Sequence, residues 1–200
     1  MKKNRLTKEQ KNARYKKRVA VFIAALMALS IVGFIGIGSF GDNGQAQTQN
    51  IEYNEFTFEN HNGLWRLDLT GTSFFFQSPP TAVDTIQVPA SAKEILDAQK
   101  VYISKDPSEQ IDLTGMTLFY RTLFLTKGVQ SFESCLSEIG CADLPVISCE
   151  EETAIVARIS EGSKITVENN CVVLSAPNEL SRTRLAERLA YELLGVIQNE

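Results

Sequence analysis

Two hundred residues with a 44% hydrophobic content correspond to one folded domain with an appendage. The formal charge of −4 hides a strong polarity: nine of the twenty basic residues lie in the first eighteen positions, opposed only by Glu9, whereas after residue 38 eleven basic side chains face twenty-three acidic ones, a formal −12. This excludes a globule in uniform surroundings, because its two ends are built for different ones.

The basic stretch 1–18 precedes "VAVFIAALMALSIVGFIGIG", residues 19–38, which carries no charge and only Ser30 as a polar side chain. Twenty residues at about 1.5 Å each span roughly 30 Å, the thickness of a bilayer core, so the segment is expected to be a single-pass transmembrane helix. It exceeds the roughly 7 to 15 residues of a signal-peptide core and lacks an A-x-A cleavage site, so a retained signal anchor is expected. Basic flanks stay on the cytoplasmic side, which places 1–18 inside and everything after residue 38 outside, at a cell membrane. With Tyr15 as the only aromatic in the basic stretch and an apolar span behind it, those charges serve topology and lipid headgroups, not nucleic acid.

Residues 39–50, "SFGDNGQAQTQN", have the composition of a flexible linker. The extracytoplasmic domain is then 51–200. Its first third reads as strands: "IEYNEFTFE" with a phase slip expected to be a bulge, "LWRLDL" after an Asn62-Gly63 turn, "TSFFFQSPP", and a short "DTIQV". In "ASAKEILDAQK", Ser91 with Glu94 three positions on forms a capping-box pattern for a helix, followed by a strand at "VYIS". A second helix is expected between Ser108 and Gly128, with Leu118, Phe119, Leu123 and Leu125 as its apolar stripe.

"TAIVARI" and "KITVENNCVVLSA" read as strands with turns at "SEGS" and "ENN". The last helix, in "NELSRTRLAERLAYELLGVI", has Leu185, Leu189 and Leu193 on one face, Arg182, Arg184, Glu187, Arg188 and Glu192 on the other, Asn178 or Ser181 as cap and Gly195 as stop. Strands and helices in this mixed order define an α+β fold, with mixed α/β as the neighbouring class.

All four cysteines lie beyond the apolar segment, at Cys135, Cys141, Cys149 and Cys171. Their spacing offers neither the close C-x2-4-C pairs of a zinc site nor the C-x-x-C of a thiol oxidoreductase, and the single histidine, His61, is distant in sequence. Outside a membrane thiols oxidise, so the cysteines are expected to staple the domain. The favoured pairs are Cys135 with Cys141 and Cys149 with Cys171; the rival joins Cys141 to Cys149 and Cys135 to Cys171.

No GxGxxG, GxxxxGK[ST], HExxH, GxSxG or EF-hand loop occurs, so no catalytic, cofactor-binding or metal residue is assigned and no cofactor is expected. Glu150–Glu152 are read as a solvated turn and Phe74–Phe76 as part of the core. The expected function is a non-enzymatic binding or envelope-assembly module with a protein partner outside the membrane. The alternative is an anchored hydrolase-like enzyme whose site is dispersed in sequence.

Overall fold

The computed structural model describes residues 49–141 and 143–198, and turn chemistry organises the first of them. Strands β1 (Asn50–Tyr53), β2 (Phe56–His61), β3 (Leu64–Leu69) and β4 (Thr72–Phe76) form an antiparallel meander in that order. Asn62-Gly63 and Thr70-Gly71 turn with positive φ at both residues, 54° and 85° in the first and 48° and 83° in the second. That geometry matches the twist of the strands it joins.

The phase slip near the start is not a bulge. Tyr53 pairs with Phe56, so Asn54 and Glu55 are a two-residue turn, entered by Asn54 at φ 53°. The alternation on either side of the slip therefore belongs to two strands.

The second sheet has five strands: β5 (Lys100–Lys105), β6 (Gln130–Cys135), β7 (Ala154–Ile159), β8 (Lys164–Glu168) and β9 (Cys171–Ala176), in the order β6-β5-β7-β9-β8. All neighbours run parallel except β8, which hairpins antiparallel onto β9. The molecule is thus a mixed α+β domain with two sheets.

Three helices accompany these sheets: α1 (Ala90–Ile95) between them in the chain, α2 (Thr114–Thr126) between β5 and β6, and α3 (Glu179–Leu194) after β9. Asn178 caps α3 by accepting from the Ser181 amide at 2.9 Å, and Gly195 ends it at φ 78°. The expected capping box of α1 does not form: the helix starts at Ala90 behind Pro89, which puts Ser91 inside the first turn. "DTIQV" is not a strand either, because the chain after Pro79 and Pro80 makes a 3-10 turn at Pro80–Ala82 and continues in turns before Pro89.

The main core lies between the inner face of the meander, the helices and one face of the second sheet. Phe58, Leu67, Phe74 and Phe76 meet Val101, Ile103, Ile155 and Leu174 through Tyr120, Phe124, Leu189 and Tyr191. Strand alternation explains why Phe74 and Phe76 are buried while Phe75 is 50% exposed. In α2 the buried face is Tyr120, Leu123 and Phe124; Leu118 and Leu125, expected on the stripe, point outward. A smaller cluster of Ile147, Ala154, Val156, Cys171 and Val173 covers the sheet's other face.

Two disulfides fix the connection to that second face. Cys135–Cys141 has a Cα–Cα distance of 6.2 Å and Cys149–Cys171 one of 5.3 Å, within the span a disulfide bridges without backbone movement. Among the described residues no cysteine is free.

Segments 1–18 and 19–38, and residues 39–48 of the linker, lie outside the described residues. Among those described, no helix is long and apolar enough to cross a membrane.

Candidate functional site

Ligands of open α/β sheets bind beyond the carboxyl ends of parallel strands, where helices begin. Here part of that region is filled by the chain itself. The loop after β5 is tied down where the Glu109 carboxylate accepts from the Ile159 amide at 2.7 Å, where Lys105 Nζ donates to the Ile111 carbonyl, and where the Leu136 amide donates to the Lys105 carbonyl at 3.1 Å.

What stays open is a cleft of about 260 Å³ between the meander, the first turns of α2 and the amino-terminal half of α3. Leu64, Phe75, Met116, Phe119 and Ala186 give it apolar walls. Gln77, Asp112, Glu179, Arg182, Thr183 and Glu187 supply its polar groups.

Each element positions its residues for a local reason. Asp112 precedes α2 and accepts from the Thr114 amide at 2.9 Å, a bond that holds its carboxyl below the usual aspartate range. Phe119 is fixed edge-on against Phe76 and Tyr120, each with ring centroids 5.5 Å away. Gly115 leaves an opening in the wall, since a Cβ there would meet nothing within 4 Å.

Helix α3 departs most from its expected form. Arg182, Glu187, Arg188 and Glu192, read as its solvent face, are all buried, because the meander and the 77–88 segment pack on the side that the second sheet does not. Burying charge costs several kcal/mol unless it is paired, and three of the four are paired.

Glu187 accepts from the backbone amides of Gln77 and Ser78, the latter at 3.1 Å. Arg188 donates to the Ile86 carbonyl and to Glu192 Oε2, both at 3.0 Å. Arg182 is the exception: it is 8% exposed, and its Nη1 lies fully inside the wall without a hydrogen-bond partner.

Burial raises the Glu187 carboxyl above the ordinary value of 4.5, against the lowering effect of the two amides. A carboxyl with a raised folded-state pKa contributes stability that is complete below the unfolded value and lost as pH rises through the folded one. Stability of the native chain relative to Glu187→Gln should therefore increase on acidification from neutrality toward pH 4.5. Urea midpoints of both proteins across that range check the slope; parallel curves would show that Glu187 does not titrate differently in the folded state. Asp68, Asp106 and Asp112, whose pKa values are lowered, act in the opposite sense and only below that window.

The residues considered from sequence lie elsewhere. His61 ends β2 and pairs with Glu59 at 3.1 Å, next to Arg66, which bridges Glu59 and Asp68 on the outer face of the meander. Glu150 and Glu151 sit in a turn, while Glu152 pairs with Lys100 at 3.1 Å. Among the described residues no three His, Cys, Asp or Glu side chains gather as a metal centre.

None of the cleft residues was singled out as a site from sequence. They come from three separated segments, around 64–77, 112–119 and 179–187, and the only local signal was a helix carrying charge on more than one side. The chain matches no family model, no curated protein and no solved structure. Fold and cleft together describe a two-sheet α+β domain, stapled by two disulfides, with an amphipathic cleft at two helix starts.

Proposed function

We propose that the chain is a single-pass membrane-anchored binding module, with residues 19–38 in the bilayer, 1–18 on the cytoplasmic side, and the disulfide-stapled domain outside, where the cleft engages a ligand or partner protein. The observation that carries the binding reading is the state of the cleft's carboxylates. General acid–base or nucleophilic work needs a group free to take or give a proton at the reacting atom. Of the cleft's three carboxylates, Glu187 is committed to two backbone amides and Asp112 to the first turn of α2, while Glu179 stands exposed to solvent at the rim. The remaining groups suit recognition: apolar walls and a few convergent polar groups are the usual anatomy of a binding pocket. Location is supported by the pairing of all four cysteines, which requires oxidising surroundings to persist.

A photo-crosslinking amino acid placed at Thr183, in the full chain in its own membrane, tests the reading. A discrete adduct is expected from Thr183 and none from Ile139, an exposed position at 86% on the disulfide-closed loop. Adducts of equal yield from both positions, or none from Thr183 or Gly115, would contradict a binding cleft.

A further inference from the structure

Resting on the binding reading, we infer that the cleft takes an apolar monocarboxylate, a hydrophobic group of about one amino-acid residue bearing a carboxylate, with that carboxylate on Arg182. Arg182 lines the cleft with the small part of its side chain that is exposed, and its buried Nη1 has no hydrogen-bond partner. Every other buried charge of α3 has a protein partner, and Arg182, in the first turns of a 16-residue helix, has none among the described residues. A guanidinium presents a planar fork of donors matched to carboxylate or phosphate, and an uncompensated buried charge of this kind is costly to maintain.

Helix dipoles add to the same preference. The 13-residue α2 and the 16-residue α3 both direct their amino-terminal ends at the cleft through Gly115 and Glu179. The acidic groups that line the cleft limit how much negative charge it accepts. Asp112 and Glu187 are held by backbone amides and Glu179 lies at the exposed rim, so a single negative charge at Arg182 is tolerated better than the double charge of a phosphate. Met116, Phe119, Leu64 and Phe75 then require an apolar body on the ligand. A free N-acylated hydrophobic amino acid and the carboxyl terminus of a peptide share this chemistry.

The test uses the full chain in lipid nanodiscs, titrated with N-acetyl-phenylalanine, its amide, a decapeptide ending in phenylalanine, that peptide's amide, and inorganic phosphate. At least one of the two acids should bind saturably, at least tenfold tighter than its own amide; the tighter acid identifies the source. Arg182→Met should weaken that binding at least tenfold and Arg182→Lys by a smaller factor, while the unliganded Arg182→Met chain melts no lower than the native one. An amide binding as well as its acid, or phosphate competing as well as either, would overturn the carboxylate assignment while leaving a binding cleft. Lower melting of unliganded Arg182→Met would overturn it too, by making Arg182 structural. Failure of all five compounds, with Thr183 still crosslinking, would overturn this inference alone; loss of the crosslink as well would take the binding reading with it.

Discussion

Phe76→Ala should be the most damaging single substitution in the domain, lowering stability by about 3–5 kcal/mol. Phe76 is fully buried at the end of β4, stacked on Tyr191 with ring centroids 4.3 Å apart and packed edge-on against Phe119 at 5.5 Å and Phe58 at 6.3 Å. It is the point where the meander, α2 and α3 meet. Truncation leaves a cavity that none of those elements can close alone, since Tyr191 is also held by its hydroxyl bond to the Ser78 carbonyl at 2.7 Å. For a domain of this size the loss corresponds to roughly 6–20 °C in melting temperature. The single tryptophan, Trp65, is packed against the same core from β3 and reports the transition by fluorescence. Phe75→Ala, one position away but half-exposed, should shift the midpoint by no more than about 0.5 kcal/mol. Equal effects at the two positions would mean that β4 does not present alternate faces as described.

Removing the Cys149–Cys171 bridge should have the second large effect. Its partners are 22 positions apart, whereas Cys135 and Cys141 are separated by 6. Loop-closure entropy then assigns about 3 kcal/mol to the longer bridge and about 2 kcal/mol to the shorter. Packing widens the difference, because Cys171 is fully buried in the smaller cluster beside Ala154 and Val173. Cys149→Ala with Cys171→Ala should therefore melt lower than Cys135→Ala with Cys141→Ala. The reverse order would show that the short loop, whose Gly140 packs beside Pro107, contributes more than its length implies. Peptide mapping without reduction checks the pairing itself.

Local chemistry was legible in the sequence and long-range pairing was not. Asn62-Gly63, the alternation of Trp65, Leu67 and Leu69, the Asn178 cap and the Gly195 stop are each decided by a few adjacent residues, and the structure has them. The parallel neighbours β5, β6, β7 and β9 are joined only across long connections, so nothing local specifies their order. Asn54 at positive φ made two strands out of what reads as one interrupted strand. In α2, Leu118 and Leu125 lost the core to Tyr120 and Phe124, whose rings stack at 5.8 Å and whose neighbour α3 accepts the Tyr120 hydroxyl at the Ala186 carbonyl, 2.8 Å away.

The candidate site was the least legible part, for a physical reason. Charged residues on a helix read as its solvent face unless something is known to pack there. The segment that follows the meander packs on α3 through contacts more than a hundred residues apart in sequence, such as Glu187 to Gln77 and Tyr191 to Ser78. Only after that packing is in place does Arg182 stand out, because its neighbours on the helix acquire partners and it does not.

The domain is stapled by two disulfides, and we propose that residues 19–38 anchor it outside the membrane. Intact cells stripped of their wall can be treated with a membrane-impermeant maleimide, before and after an impermeant phosphine reductant. No labelling is expected before reduction; after it, with the cells still sealed, the half-buried Cys141 and Cys149 should be labelled, whereas Cys135 and Cys171, 2% and 0% exposed, should react only once the domain is unfolded. Labelling without reduction, or labelling only once the cells are lysed, would contradict that arrangement.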